Sequence, residues 1–207
     1  ILPMKILENR GGVDCRVLDE ALEALRDGYI VIYPTDTLYA FGCDALNSRA
    51  IERLCRAKGI NPDKQLLSTV CTDMSQAAEY ARIDNKAFAH LKRHLPGPFT
   101  FILPSSTTLP KAFKKRRSVG VRIPDNDFAR ALAEGLGNPV LTSSVPLDEE
   151  LGERPDAAAL ADRYDGNADI ALAVDAGELW ASASTIVDLT DSANPEITRQ
   201  GAGEFDY

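Results

Sequence analysis

Residues 33–46 read YPTDTLYAFGCDAL and follow a short apolar run at 29–32. The run predicts a buried strand that ends at Tyr33. Polar side chains then occupy positions 35–37, and another aromatic residue, Tyr39, comes two positions later. Open α/β sheets bind ligands at the carboxyl ends of their strands, so the stretch predicts one edge of a binding site. A simple turn, in which these side chains bond to local backbone groups, is the competing interpretation.

Helices and strands alternate along the rest of the chain. Capping residues such as Asp14 and Asn47 mark where helices begin, and Gly28 and Gly59 mark where they end. Helical patterns predict helices at 14–26, 47–58, 73–80 and 84–94, one that begins near 125, and a short one after 156. Apolar runs predict strands at 29–33, 66–71, 99–103, 119–123, 139–142, 170–174, 184–189 and 196–199. The alternation has no long linker or internal repeat, so we predict a single α/β domain over residues 1–207.

The composition is ordinary for a soluble globular protein. The formal net charge of the 207 residues is −8, which argues against indiscriminate binding of nucleic acid. No apolar run approaches the roughly 18 residues of a membrane span, and the N-terminal segment does not resemble a secretory signal. The four cysteines form no C-x-x-C pair, which favours reduced thiols over disulfides or a zinc site. We therefore predict a soluble, cytoplasmic protein.

Several common catalytic and nucleotide-binding signatures are absent from the sequence. It has no G-x-x-x-x-G-K-[ST] or G-x-G-x-x-G motif, so any nucleotide must be held in another way. It also lacks the G-x-S-x-G motif of the usual α/β serine hydrolases. His90 and His94 stand four apart on a predicted helix and could face a metal ion together, but no third ligand is indicated. We expect a solvated helix face at these histidines and no metal site.

One basic cluster interrupts the acidic chain. It has five cations within seven positions, namely Lys111, Lys114, Lys115, Arg116 and Arg117. Such a cluster can neutralise several phosphates of RNA, with an affinity that falls steeply as salt rises. A solvated loop is the alternative, because no aromatic residue stands among positions 114–117 to stack on bases.

Three further positions combine polar chemistry with the predicted elements. Lys58 ends the second predicted helix, where the helix dipole favours a cation. Residues 142–144, Thr-Ser-Ser, end a strand and offer hydroxyl groups to a phosphate or a carboxylate. Arg122 stands in the apolar strand at 119–123, and its charge needs a partner if the side chain points inward.

With these segments in order, the chain resembles the Sua5/YciO/YrdC family of threonylcarbamoyl-AMP synthases and their relatives. The matching stretches lie between residues 33 and 203 and read YPTDTLYAFGCDAL, IERLCRAKG, LPGPFTFILP, VGVRIPDN, PVLTSS, STIVDLT and ITRQGAG. Each stretch is weak alone, but their number and order are typical of the family.

The resemblance implies a fold, a reaction and a set of site residues. The fold is a single α/β domain with a twisted mixed sheet of YrdC/YciO type and helices packed on it. The reaction joins L-threonine, bicarbonate and ATP, with Mg²⁺, into threonylcarbamoyl-AMP and pyrophosphate, for threonylcarbamoyladenosine formation on tRNA. By position, the resemblance assigns catalysis to Lys58 and Ser143, substrate binding to Thr35, Tyr39, Arg122 and Ser184, and nucleotide binding to Lys58, Ser143 and Arg199.

The sequence departs from the family pattern at two polar positions. Ile60 stands where a lysine-x-arginine motif has its arginine, and Val145 stands where a serine-x-asparagine motif has its asparagine. Loss of one charge-assisted contact is expected to cost about 2.7 to 4 kcal/mol of transition-state stabilisation, by analogy with oxyanion donors. We therefore expect weak or altered synthase activity, and the chain looks most like the YciO branch. Two other hypotheses stay open: a protein that binds tRNA or double-stranded RNA without synthesis, and an adenylate hydrolase.

Overall fold

The apolar run before the quoted stretch becomes strand β2 (Ile30–Tyr33), whose four residues are all buried. It is one of ten strands in the computed structural model, which describes residues 3–114, 117–179 and 181–207. The other strands are β1 (Lys5–Glu8), β3 (Ala40–Asp44), β4 (Ser68–Val70), β5 (Phe99–Pro104), β6 (Ser118–Arg122), β7 (Val140–Ser144), β8 (Ile170–Asp175), β9 (Thr185–Asp188) and β10 (Glu196–Arg199).

Seven helices lie in the same described ranges, and most begin at a capping side chain. They are α1 (Cys15–Arg26), α2 (Ser48–Lys58), α3 (Met74–Tyr80), α4 (Asn85–His94), α5 (Lys111–Lys114), α6 (Asp127–Leu136) and α7 (Ala157–Arg163). Asp14 and Asn47 each accept two backbone N–H bonds at the start of α1 and α2. Gly59 ends α2 in the left-handed conformation, with a φ of 73°. These local signals predict the bounds of α1 to α4 to within one residue.

All ten strands join into one mixed sheet, in the order β1-β8-β2-β3-β7-β4-β6-β5-β9-β10. The pairs β1–β8, β2–β8, β4–β6 and β5–β9 are parallel, and the other five pairs are antiparallel. Strands that are distant in sequence meet at the centre, where β7 lies between β3 and β4. The predicted α/β fold with a mixed sheet is confirmed.

Helices cover the two faces of the sheet unequally. One face packs against α2, α4 and α7 through the larger apolar cluster, which includes Ile51 and Leu91. The opposite face packs against α1 and α6 through a second cluster, which includes Leu25 and Phe128. This second cluster reaches β8, β2, β3, β7 and Val70 of β4. On the same face of the sheet, β6, β5 and β9 contribute no residue to this second cluster.

The sequence patterns predict neither β1 nor β3. β1 is an edge strand with three of its four residues exposed, so no apolar run marks it. β3 is almost entirely buried, but its alanine and glycine have low strand propensity. Pairing with β2 and β7, rather than local preference, decides its conformation.

The four cysteines are free thiols, as their spacing predicts. Cys43, Cys55 and Cys71 are buried, and burial raises the pKa of Cys71 to about 12. Among the described residues, no helix is both long and apolar enough to cross a membrane.

The C-terminal segment covers the side of α4 that carries His90 and His94. Phe205 stacks on His94 with ring centroids 4.7 Å apart. His94 Nε2 accepts a bond from the backbone N–H of Asp206 at 3.0 Å, and Nδ1 lies 2.7 Å from the carbonyl oxygen of His90. The expectation of a solvated face is therefore wrong for His94, because both ring nitrogens have backbone partners. In the described ranges, no group of three or more His, Cys, Asp or Glu side chains is arranged to hold a metal ion.

Candidate functional site

The part of the sheet face that α1 and α6 leave uncovered carries small and polar side chains. Strand alternation places Gly120 and Arg122 of β6 on this face, opposite Val121, which belongs to the larger apolar cluster. A Cβ atom at Gly120 would lie 2.5 Å from Ser68 Oγ and 3.1 Å from Thr100 Cγ2. Glycine at this position therefore lets β4 and β5 carry hydroxyl groups on both sides of β6.

A cavity of about 470 Å³ is lined by side chains of this face, such as Thr100 and Ser184, together with Lys58 of α2 and members of the larger apolar cluster such as Leu54. It brings together five of the seven site residues that the resemblance implies: Lys58, Arg122, Ser143, Ser184 and Arg199. No aspartate or glutamate of the described ranges lines the cavity, so its charged lining consists of one lysine and two arginines. A concave site with this charge and size suits an anionic small molecule.

Lys58, the last residue of α2, connects the helix to the sheet across the cavity. Its ammonium group donates to the backbone carbonyl of Ser144, the last residue of β7. Burial, followed by the nearby charge of Arg199, lowers the pKa of Lys58. Two like charges held close together in a partly desolvated site favour an anion beside them.

Arg199 reaches the cavity from β10 and is held by Ser184. Its Nε and Nη2 donate to the Ser184 carbonyl oxygen at 3.0 and 2.7 Å, and Nη2 lies 3.0 Å from Ser184 Oγ. The Ser184 hydroxyl is bonded in turn to Thr100 Oγ1 at 2.8 Å. These partners are neutral, and burial together with the charge of Arg122 lowers the pKa of Arg199. The guanidinium charge is thus positioned without being neutralised by these contacts.

Arg122 has a negative partner, and that partner comes from the stretch at 33–46. Its Nη2 donates to Asp36 Oδ1 and to Thr37 Oγ1, both at 3.0 Å. The ion pair is buried, with 6% of the Arg122 side chain and 9% of the Asp36 side chain exposed. Arg122 therefore points inward, and the partner that an inward charge requires is present.

Thr35 faces its own turn. Its hydroxyl donates to the carbonyl oxygen of Leu38 at 2.7 Å and accepts the backbone N–H of Thr37 at 3.0 Å. Thr35 bonds locally, as the turn interpretation predicts, while Asp36 and Thr37 hold an arginine that lines the cavity. Thr35 does not line the cavity, and its contact with a substrate stays a prediction.

Tyr39 also lies apart from the main cavity. Its hydroxyl donates to the carbonyl oxygen of Gly177 at 2.7 Å and accepts the backbone N–H of Ala176 at 3.0 Å. It shares a separate, very small cavity with Val145, which is 3% exposed and belongs to the apolar core. The substrate role of Tyr39 stays a prediction.

The two departures from the family pattern occupy different places. Ile60 lines the main cavity, where it joins an apolar portion that includes Leu67 and Ile186. Val145 does not line that cavity but shares the small cavity with Tyr39. The asparagine side chain that the family motif has at this position is therefore missing near Tyr39. Of the two departures, only Ile60 changes the lining of the main cavity.

The basic cluster adjoins the rim of the cavity. Helix α5 carries Lys111 and Lys114, Arg117 follows it, and Lys115 and Arg116 lie outside the described residues. Phe113 of α5 is buried and packs near Gln65 and Leu67, two residues that also line the main cavity. The RNA-binding role of the cluster stays a prediction.

The sequence patterns mark residues 35–37 as one edge of a site, but they miss Thr100 and the pairing of Asp36 and Thr37 with Arg122. A signal for Thr100 is present, since it interrupts the aromatic positions Phe99 and Phe101 at the period of a strand. The pairing of Asp36 has no such signal, because the arginine it binds stands 86 positions later in the sequence. Only the folded sheet brings the two together.

Comparisons with known proteins connect this geometry to a family. The Sua5/YciO/YrdC family model, described as telomere recombination, matches residues 23–201. The uncharacterized protein YciO of Escherichia coli is 36% identical over 191 residues, which cover 91% of this chain and 91% of YciO. The crystal structure of E. coli YciO matches with a TM-score of 0.86, covering 99% of this chain and 98% of that one.

Two further relatives carry more specific names. A threonylcarbamoyl-AMP synthase of Vibrio vulnificus is 27% identical over 188 residues, covering 89% of this chain and 98% of that protein. The structure of P. abyssi Sua5 complexed with L-threonine is 30% identical and matches with a TM-score of 0.83, covering 95% of this chain and 57% of that one. The sequence motifs, the sheet and these matches agree, and the chain belongs to the Sua5/YciO/YrdC family.

Proposed function

We propose that the chain is a threonylcarbamoyl-AMP synthase-like protein with weakened or altered activity. It would join L-threonine, bicarbonate and ATP into threonylcarbamoyl-AMP and pyrophosphate, for threonylcarbamoyladenosine formation on tRNA. The observation that carries the proposal is the convergence of Lys58, Arg122 and Arg199 on one cavity whose described lining has no carboxylate. The named synthase relative and the Sua5 structure with L-threonine support it.

The residues of the cavity suit this reaction. The threonine amino group adds to bicarbonate, water leaves, and a carbamate forms. A carbamate oxygen then attacks the α-phosphate of ATP, the bond from that phosphorus to the β-phosphate oxygen breaks, and pyrophosphate leaves. Negative charge develops on the phosphate oxygens, and fixed cations and hydroxyl donors stabilise it without a protein nucleophile. Lys58 and Arg199, whose described contacts are neutral, are the proposed polyphosphate ligands, with the Ser143 hydroxyl beside them.

Mg²⁺ is proposed to enter with the nucleotide. Protein carboxylates are the usual direct ligands of Mg²⁺, and the described lining of the cavity has none. The cavity therefore fits a magnesium–nucleotide complex in which phosphate oxygens and water hold the metal. Its part in the reaction would be to offset charge on the phosphates.

Pyrophosphate release tests the proposed reaction. With ATP and Mg²⁺ present, we expect release that requires both L-threonine and bicarbonate and that Lys58→Ala abolishes. Absence of release above background at every enzyme concentration would reject the synthase proposal. Supplying threonylcarbamoyl-AMP and measuring AMP distinguishes the alternative, because an adenylate hydrolase produces AMP without any synthesis.

RNA binding is a second candidate function, and the position of α5 favours it. Lys111 and Arg117 are exposed, and the described residues offer neither of them an ion pair. Because α5 adjoins Gln65 and Leu67 at the cavity rim, RNA held by the basic cluster would lie next to the cavity. This role is compatible with synthesis and also stands without it.

A further inference from the structure

A second cleft lies at the end of β5, apart from the main cavity. It has a volume of about 510 Å³, and none of its described lining residues belongs to the main cavity. Thr100 of β5 lines the main cavity, whereas Pro104 and Ser105 line the cleft. A strand rises about 3.3 Å per residue, so Thr100 and Pro104 lie roughly 13 Å apart along β5. The cleft is therefore a distinct place on the molecule.

Two arginines flank the end of β5 in this cleft. The backbone N–H of Arg82 donates to the carbonyl oxygen of Pro104 at 2.8 Å, and the N–H of Ser105 donates to the carbonyl oxygen of Arg117 at 3.0 Å. Neighbouring paired strands lie about 4.8 Å apart, so the two arginine backbones are roughly 10 Å apart across this strand end. Both side chains line the cleft. Side chains as long as arginine can reach one ligand group from both sides of such a gap.

The charge of the cleft is not offset by acidic groups. Arg82 and Arg117 are exposed, and the described residues provide no ion pair for either of them. No aspartate or glutamate of the described ranges lines the cleft. Ser105 and Thr107 add two hydroxyl groups, which have no hydrogen-bond partner among the described residues. The cleft therefore presents two cations and two hydroxyl donors to a ligand.

Arg117 adopts a backbone conformation that favours glycine. Its φ is 54°, and within the described residues it is the one position other than glycine with a positive φ. Residues with a Cβ atom rarely adopt this conformation, and those that do are concentrated at functional sites. Glycine would adopt it without strain, so backbone geometry does not explain an arginine here. A ligand that needs the guanidinium group does.

We propose that Arg82 and Arg117 form a binding site for a phosphate group. The planar guanidinium fork bonds two oxygens of one phosphate, and the further phosphate oxygens can accept bonds from the opposite side of the cleft. A carboxylate has only two oxygens, so it would satisfy one fork and leave the other to water. The phosphate can belong to an RNA backbone or to a small phosphorylated molecule.

The site goes beyond the proposed synthase reaction and does not depend on it. For an RNA ligand it rests on the second candidate function, because Arg117 belongs to the basic cluster. Arg82 stands outside that cluster in the sequence and is joined to it only by the pairing at the end of β5. Arg82 is therefore the residue whose substitution tests the site most specifically.

Titration of the full chain with inorganic phosphate tests the site directly. The side-chain Nε–H resonances of the two arginines can be assigned in a ¹⁵N spectrum by their loss in Arg82→Gln and Arg117→Gly. We expect both resonances to shift with one Kd, and this Kd to rise roughly tenfold when either arginine is replaced, because a hydrogen bond to a charged group is lost. Arg117→Gly should stay folded, since glycine adopts a positive φ without strain. Arg16→Gln removes an exposed arginine of α1 and is the control that should leave the Kd unchanged.

Binding of an RNA duplex over a series of salt concentrations identifies the source of the phosphate. An RNA backbone predicts that Arg82→Gln weakens binding and lowers the slope of log affinity against log salt by about 0.9, while Arg16→Gln changes neither. Joint shifts with inorganic phosphate but unchanged RNA binding support a small phosphorylated ligand instead. The proposal is overturned when phosphate shifts neither resonance and RNA binding is absent or equal in Arg82→Gln and the wild type. Neither measurement uses pyrophosphate release, so failure of the synthase reaction and failure of this site are distinguishable.

Discussion

Three cations share the cavity, but each has different partners. Arg122 is paired with Asp36, Arg199 is held by the carbonyl and hydroxyl of Ser184, and Lys58 donates to a backbone carbonyl. Lys58 and Arg199 are therefore the residues whose charge a polyphosphate would meet most directly. Single substitutions of Lys58 or Arg199 should change the affinity for a ligand more than the stability of the fold.

The affinity for ATP should depend on the ionisation of Lys58. Burial and Arg199 lower the pKa of Lys58, so its ammonium group loses its proton below the ordinary value of 10.5. An anion binds the charged form, so the affinity should fall as the pH rises through this lowered pKa. Calorimetric titrations with ATP across the alkaline range measure the effect. Lys58→Arg stays charged and should give a flat profile, and matching profiles for the two proteins would contradict this account.

Ile60→Arg should strengthen the phosphate-binding part of the cavity. Ile60 lines the cavity in the position where the family motif has an arginine. A hydrogen bond to a charged group contributes about 1.5 to 3 kcal/mol, which is roughly ten- to a hundredfold in ATP affinity. Ile60→Met adds a flexible chain without charge and serves as the control. Equal ATP affinity in the arginine and methionine variants would show that this position does not meet the phosphates.

Sequence patterns identify residues with suitable side-chain chemistry better than they predict where those residues lie in the fold. Lys58 and Arg122 stand out by charge, yet their convergence depends on sheet pairing that no local pattern encodes. Five of the residues that the resemblance names line the cavity, whereas the hydroxyls of Thr35 and Tyr39 bond to backbone groups away from it, and the role of each residue stays a prediction. The position of Asp36 at the end of a buried strand predicts a site edge or a turn, but nothing local predicts its pairing with Arg122.

At the scale of elements, β3 shows how neighbours override local preference. The strand lies between β2 and β7, and its Gly42 faces the ring of Tyr33. The Tyr33 hydroxyl forms a bond of 2.6 Å with Thr142 Oγ1, which fixes the ring over the glycine. The Tyr33 ring therefore requires glycine at position 42, although glycine has a low strand propensity and weakens the sequence signal for β3.

Gly42→Ala should destabilise the fold. A Cβ atom there would lie 2.6 Å from Tyr33 Cε1 and 2.9 Å from Val140 Cγ1, and both side chains are fully buried. Overpacking of this kind costs about 1 to 3 kcal/mol in the free energy of unfolding. Urea unfolding measures it. The double variant Gly42→Ala with Tyr33→Leu should lose less stability than the sum of the two single changes. Wild-type stability in Gly42→Ala would show that the strand shifts to make room.

Helices are predicted well because their signals are local. The caps at Asp14 and Asn47 and the left-handed Gly59 lie within a turn of the helix ends they mark. The order of the strands is different, because β8 inserts between strands formed more than a hundred positions earlier and β7 inserts between β3 and β4, which also stand far from it in sequence. Long-range pairing of this kind leaves no trace in composition or period.

At the scale of the whole molecule, an acidic chain concentrates positive charge in two adjoining places. The net charge is −8, while the cavity lining holds three cations, and α5, which carries Lys111 and Lys114 of the basic cluster, packs near two of the lining residues. Any polyanion that binds should therefore do so at this side of the molecule.

Alanine at Lys114, Lys115, Arg116 and Arg117 should abolish binding of tRNA or double-stranded RNA. Each lost phosphate contact should lower the slope of log affinity against log salt by about 0.9 for a duplex. Filter binding over a series of salt concentrations measures both quantities. Alanine at Lys86 and Lys92, exposed lysines of α4, is the control and should leave the slope unchanged. Wild-type RNA binding in the fourfold variant would exclude the cluster as the RNA site.

The central claim is that the cavity holds a nucleotide together with threonine. Calorimetric titration of the wild-type chain with magnesium–ATP, with and without L-threonine, tests it most directly. We predict saturable binding at one site that L-threonine modifies, that pyrophosphate displaces, and that Lys58→Ala removes. Absence of ATP binding in both conditions, or equal binding in Lys58→Ala, would contradict it.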